Sequence, residues 1–137
     1  MTFTAVFDAS QLSPQSFQGM VFIFLALAIG HAVADYPLQG SFLANAKNRH
    51  SDISSYFGGS NPAGVWIHAM TAHALIHAGA VWLVTGSAVL AVIELVAHWV
   101  IDYLKCEDRI SFNTDQLLHY GCKLIYAILI YLGVTWI

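Results

Sequence analysis

With 137 residues, 58% of them hydrophobic and 9% charged, the chain carries about a third of the charge of an ordinary soluble domain, and its mean hydropathy of +0.64 agrees. The length suits one domain and not two, and a net charge of −3 spread over so few groups leaves no basic stripe for nucleic acid. Two cysteines without paired spacing, Cys106 and Cys122, exclude a disulfide framework and a thiolate zinc site, so both are expected as free thiols.

The composition predicts an all-α integral membrane protein, with residues 1–137 forming one transmembrane four-helix domain. Residues 1–15 form a short tail without positive charge, expected to be retained rather than cleaved, in which Ser13 with Pro14 can cap a helix. The first helix spans about 17–36 and stops at Pro37; about twenty residues at about 1.5 Å each suffice to cross the hydrocarbon layer. Residues 37–63 form the longest loop, holding Lys47, Arg49, His50 and the turn-rich Phe57-Gly-Gly-Ser-Asn-Pro.

The second helix, about 63–84, follows an Asn61-Pro62 start signal. A Thr85-Gly86-Ser87 turn leads into the third, about 87–105, so these two should form an antiparallel hairpin. After a polar loop the fourth helix, about 114–137, opens with Asp115 in its first turn, where a carboxylate suits the helix dipole. Lys47, Arg49, Lys105 and Arg109 lie in the two loops that four spans place on one side. The positive-inside rule makes that side cytoplasmic, with both termini on the periplasmic or outer face of a bacterial inner membrane. Trp66, Trp82, Trp99 and Trp136 fall at or near span ends and read as interface anchors.

Polar groups are rare enough that their spacing carries the chemistry. Glu94, His98 and Asp102 stand at intervals of four in an apolar run. Four residues turn a helix through about 400°, so the three side chains step round by only about 40° and share one face. The same interval recurs at His31/Asp35, His73/His77 and Asp115/His119, giving nine ligand-type residues on four helical faces. Asp35, Asp102, Asp115 and His119 lie within about two turns of the cytoplasmic helix ends, and the others lie deeper at overlapping heights. Unpaired groups of this kind are costly in hydrocarbon, so the four stripes should face one another.

Lys123 continues the Asp115/His119 stripe at a depth matching Glu94. The two either form a buried ion pair, or Lys123 polarises a substrate oxygen while Glu94 ligates metal or acts as base. His68 points about 180° from His77 and should face elsewhere. His50, with Lys47 and Arg49, can greet an anionic headgroup, while Gln39 and Gln116 support the site mouth or are plain interfacial residues. Mixed His and carboxylate donors without thiolate suit zinc, manganese or iron, and so many donors favour two ions.

The ordered set His31-x3-Asp35-Tyr-Pro-Leu-Gln39, Lys47, His73-x3-His77, Glu94-x3-His98-x3-Asp102-x2-Lys105 and Asp115-Gln-x2-His119 resembles the domain-of-unknown-function family 3307, small bacterial and phage membrane proteins. More distantly the pattern is similar to inner-membrane metal-dependent hydrolases; the family name itself implies no activity.

The first functional expectation is a membrane-embedded dinuclear metal hydrolase acting on a lipid or lipid-linked phosphoester. His31, Asp35, His73, His77, His98, Asp102, Asp115 and His119 would be ligands, Glu94 ligand or base, and Lys123 or Lys105 the electrophilic helper. The alternatives are a di-iron oxidase of acyl chains, or a non-enzymatic metal- or haem-binding subunit of a homo-oligomer or larger complex, in which His31 and His98 could serve as axial ligands. The almost wholly apolar periplasmic halves argue against a conduit through the membrane.

Overall fold

A computed structural model describes residues 13–134. Among them the chain is all-helical, with five α-helices and no strand: α1 (Phe17–Asp35), α2 (Gly40–Ala46), α3 (Val65–Thr85), α4 (Ala88–Cys106) and α5 (Phe112–Tyr131), plus a 3-10 turn at Ser54–Tyr56. The four long helices pack in a ring, α1 on α3, α3 on α4, α4 on α5 and α5 on α1, with the α3–α4 contact the most extensive.

Local chemistry sets the ends. The α3–α4 turn is tight because Gly86 takes the left-handed conformation (φ 70°) that ends α3, while the Ser87 side chain accepts from the Leu90 N–H to start α4. Thr85 stitches the turn, donating to the Val81 carbonyl and accepting from the Ser87 N–H. At α1 the cap is Ser16, which accepts from the Gly19 N–H, and not Ser13 with Pro14; the Ser13 carbonyl serves instead as acceptor for Ser16.

Three further expectations need correction. The fourth long helix begins at Phe112 behind a Ser111 cap and ends at Tyr131, since Gly133 turns left-handed (φ 67°) and breaks a run that is otherwise apolar to the end. The region 37–63 is not one loop, because Gly40–Ala46 coils into α2. A small apolar cluster of Ala46, Ile53 and Ala69, with Leu43 and Val65 against it, seats this segment on the start of α3. That helix in turn starts at Val65 behind a left-handed Gly64, two residues beyond the sequence expectation. The reading of residues 1–12 as a retained tail, and of Trp136 as an anchor, lies outside the described residues.

Burial is distributed the opposite way from a soluble domain. Leu27, Val81, Leu90 and Tyr126 form a compact apolar cluster towards one end. The middle and other end are filled by His31, His73, His77, Glu94, His98, Asp102, Asp115, His119 and Lys123, all at most 2% exposed. The outside of the helices is apolar: Phe22, Leu25 and Ile29 on α1, Val92, Val96 and Val100 on α4, and Leu117, Leu124 and Ile125 on α5 are exposed. Only α1 and α3 are long and apolar enough to pass as membrane-crossing helices on composition; α4 and α5 carry the charges, and carry them inward.

Close approach of α1 to α3 depends on Gly30, where a Cβ would stand 3.3 Å from the Cβ of Ala80. The next residue is His31, so this contact helps bring the α1 stripe to α3. Gly30→Leu should wedge the pair apart and cost about 1–3 kcal/mol, read as a lowered melting temperature in detergent, whereas Gly30→Ala should be nearly neutral.

Candidate metal centre

The polar stripes meet because each lies on the one face its helix turns inward. On α3 the buried positions Ala69, Met70, His73, Ala74, His77, Ala78 and Val81 repeat at three and four, so both histidines are carried on the packed face between small residues. On α4 the buried set is Leu90, Glu94, His98, Asp102 and Cys106, an unbroken interval of four.

Five imidazoles from four helices stack at the centre. The His77 and His98 rings are stacked at 3.6 Å between centroids, His98 and His119 at 4.1 Å, and His31 lies 5.0 Å from His77 and 5.1 Å from His119. Asp35 and Asp102 both reach this stack and share His73 Nε2. Asp35 Oδ1 is 3.3 Å from His73 Nε2 and 3.2 Å from His77 Nε2; Asp102 lies 3.3 Å from His73 Nε2 through Oδ2 and 3.2 Å from His119 Nε2 through Oδ1.

Four of these imidazole nitrogens lack a well-aligned hydrogen bond. They are His73 Nδ1 and Nε2, His77 Nε2 and His98 Nε2, all buried, the three Nε2 atoms facing carboxylate oxygens at 3.2 to 3.7 Å; Asp115 Oδ1 is buried likewise, 3.5 Å from His119 Nε2. Leaving one such group bare costs about 1–3 kcal/mol, so a cluster of them implies something else that satisfies them. Two sets of donor atoms converge closely enough to hold a cation: Asp35, His73, His77 and His98, and then His98, Asp102 and His119, each with all its atoms within 4.8 Å of one another. His98 belongs to both sets. These buried His and Asp groups could therefore hold a metal ion.

The remaining stripe residues brace this set from behind. His98 Nδ1 faces Glu94 Oε1 at 3.3 Å, and Lys123 Nζ donates to the same oxygen at 2.5 Å, both partners 1% exposed. Of the two arrangements that the sequence allowed for Glu94 and Lys123, the fold thus adopts the buried ion pair, and it lies behind His98 rather than at an opening. His31 Nδ1 faces His77 Nδ1 at 3.3 Å, and Gln116 ties α5 to α1 by donating to Asp35 Oδ2 at 2.9 Å. Such partners on the far nitrogen fix the orientation of a ligating imidazole.

Lys47 is the residue that the sequence reading misplaced. Expected in a loop beside Arg49 and His50, it sits at the end of α2, 6% exposed, with Nζ 2.5 Å from Asp102 Oδ2. The available signal was the Leu43/Ala46 spacing, which suits one face of a short helix. Arg49 and His50 stay exposed and hold Glu107 at 2.6 and 3.0 Å, with the Arg49 guanidinium over the Trp66 and Tyr103 rings. The hydrogen bond from Arg49 lowers the Glu107 carboxyl below its ordinary value. This clamp therefore adds stability above the ordinary glutamate range and loses it as pH falls through the lowered value. His68 points outward and is exposed.

At one end the cluster meets a polar cavity of about 110 Å³, lined by Asp35, Gln39, Lys47, Asp102, Lys105 and Asp115 together with Tyr36, Phe112 and Gln116. Lys105 reaches this opening, with Nζ 5.7 Å from the Phe112 ring. With geometry and opening described, comparison with known proteins adds one finding: the family model described as "Protein of unknown function (DUF3307)" matches residues 23–137.

The chain belongs to the DUF3307 family. The matched stretch includes every donor of the cluster, from His31 to His119, and both buried lysines. No curated protein and no solved structure matches this DUF3307 chain.

Lys123 and Glu94 supply a direct test of the bracing. Lys123→Met should cost about 3–5 kcal/mol by stranding the Glu94 carboxylate, and Lys123→Met combined with Glu94→Leu should recover most of it, measured by thermal unfolding in detergent.

Proposed function

We propose that this DUF3307 protein is a membrane-embedded, metal-dependent hydrolase that binds two divalent ions and cleaves a phosphoester of a lipid or lipid-linked substrate. The observation that carries this reading is the set of bare imidazole nitrogens converging with Asp35 and Asp102 beneath a small polar opening.

The donor set favours zinc, and the spacing admits it. Ligands about 2.0 Å from a tetrahedral ion stand about 3.3 Å from one another, whereas octahedral neighbours at the same bond length stand about 2.8 Å apart. Within the two sets the Asp35 contacts to His73 and His77 and the Asp102 contact to His119 are 3.2 to 3.3 Å, and Asp102 stands 3.7 Å from His98. Four imidazoles against two carboxylates in the inner set is also a donor mixture that suits zinc better than the carboxylate-rich sites of di-iron oxidases. Haem is disfavoured because the rings of His77 and His119 occupy the space that a macrocycle between His31 and His98 would need.

An exterior of Val, Leu, Ile and Phe around a charged interior supports a bilayer setting with all four long helices spanning it. The polar opening then lies at the end marked by Lys47, Arg49, Lys105 and Arg109, the cytoplasmic end by the positive-inside rule. A volume of about 110 Å³ is well below the roughly 300 Å³ or more of sites that enclose a drug-sized ligand. It admits a headgroup fragment and a few waters while the rest of a lipid remains in the membrane.

When bound, the ions supply a Lewis acid and a water acidic enough to attack near neutral pH. The protein's own share is positional. Glu94 and Lys123 fix His98, His31 fixes His77, and Gln116 fixes Asp35. Lys105 meets an anionic substrate oxygen at the opening, and Asp115, which lines that opening beside His119, is placed to take a proton there.

Elemental analysis of protein purified in detergent without chelator should find about two zinc ions per chain. His98→Ala should lose both and His77→Ala about one, and each should abolish release of phosphate or headgroup from short-chain phosphatidic acid or phosphatidylglycerol. A folded, metal-free wild type would overturn the proposal, and iron in place of zinc would redirect it to an oxidase.

A further inference from the structure

The charges of the cluster do not balance. Asp35, Glu94, Asp102 and Asp115 are four carboxylates, whereas Lys47 and Lys123 are the two ammonium groups among them. With the imidazoles neutral, as ligation requires, two negative charges are left over. One divalent ion neutralises the interior, and a second makes it cationic unless an anion enters.

The two lysines are not equivalent. Lys123 is sealed, 1% exposed, against Glu94 on the side away from the opening, and it does not line the cavity. Lys47 does line the cavity, and its ammonium sits on Asp102 Oδ2, the same oxygen that faces the bare His73 Nε2 at 3.3 Å. An ammonium at this point satisfies the carboxylate as a cation would. It is carried on a flexible four-carbon stem, by a seven-residue helix seated through a small apolar cluster. A short rotation of that stem moves Nζ from Asp102 into the opening beside Lys105.

We propose that Lys47 holds the place of a cation on Asp102 and passes to a phosphate-type oxyanion in the opening when a metal ion takes that carboxylate. This rests on the metal-dependent reading above and deepens it, for it names the group that recognises the substrate's anion and couples its availability to metal loading. Metal and Lys47 compete for Asp102, whereas metal and oxyanion assist each other. The oxyanion is either a lipid headgroup phosphate or free phosphate; both present the same oxygens.

The test is equilibrium dialysis of Zn²⁺ against detergent-purified wild type, Lys47→Met, Lys47→Gln and Arg109→Gln. The last removes a charge from the neighbouring loop without touching Asp102. Titration of the zinc-loaded forms with inorganic phosphate, and with micelles containing phosphatidic acid or only phosphatidylcholine, follows. Removing an ammonium that opposes the ion should tighten zinc binding about tenfold in both Lys47 variants and not in Arg109→Gln, and should weaken phosphate about tenfold. Phosphatidic acid binding without phosphate binding identifies a headgroup as the ligand, and the reverse identifies a soluble phosphate.

Zinc affinity that is unchanged or lower in the Lys47 variants would overturn the proposal while leaving the metal centre intact. Tighter zinc with unchanged phosphate binding would overturn the transfer to an oxyanion. A wild type that binds no metal removes the centre, and this role of Lys47 with it. Thermal unfolding guards against misfolding, since Lys47→Met should melt below wild type without zinc and approach it with zinc, while Lys47→Gln retains a donor to Asp102 and a milder deficit.

Discussion

Asp102 ties the end of α2, α3 and α5 to α4. A carboxylate 2% exposed cannot remain ionised without opposing charge or donors, and this one draws Lys47 from the end of α2, His73 from α3, His98 from its own helix and His119 from α5. Asp35 plays the corresponding part for α1, reaching His73 and His77 on α3 and Gln116 on α5. In the bilayer setting proposed above, helices that offer hydrocarbon outward on most of their circumference would have little reason to prefer one another by apolar contact. Polar contacts of this kind then set which faces meet.

The interior divides into layers of different chemistry. At one end Leu27, Val81, Leu90 and Tyr126 pack without charge. Next comes the sealed Glu94–Lys123 pair, then the imidazole stack, and last the cavity with Lys47 and Lys105. Access rises along that sequence, which is the arrangement that the proposed hydrolase would need: donors held from below, substrate admitted from above.

Much of this was readable from intervals of four, because helical geometry is local and four pairs of ligand-type residues in apolar runs admit few explanations. The Thr85-Gly86-Ser87 turn was equally plain, as it needs only a left-handed glycine and a capping serine. What the sequence left open depends on relative rotation or on a fold-back. Whether Glu94 meets the ion or Lys123 depends on how far α4 is rolled against α5, and spacing within one helix does not contain that angle. Lys47 belonged to the site only because α2 turns the chain back over Asp102, and a seven-residue helix leaves a faint periodic trace. The last helix ended early for want of any stop signal but Gly133 in an apolar run.

The unbroken interval of four on α4 also limits how the chain can change in length. One residue added between Glu94 and Asp102 would turn everything beyond it by about 100°, carrying Asp102 off the face shared with His98 and stranding Lys47, His73 and His119 together. The same holds between His73 and His77 and between Asp115 and His119. Insertions and deletions are thus confined to stretches that carry no donor, such as 48–64 and 107–111, and the distance along the chain from Glu94 to Asp102 is as fixed as the residues themselves.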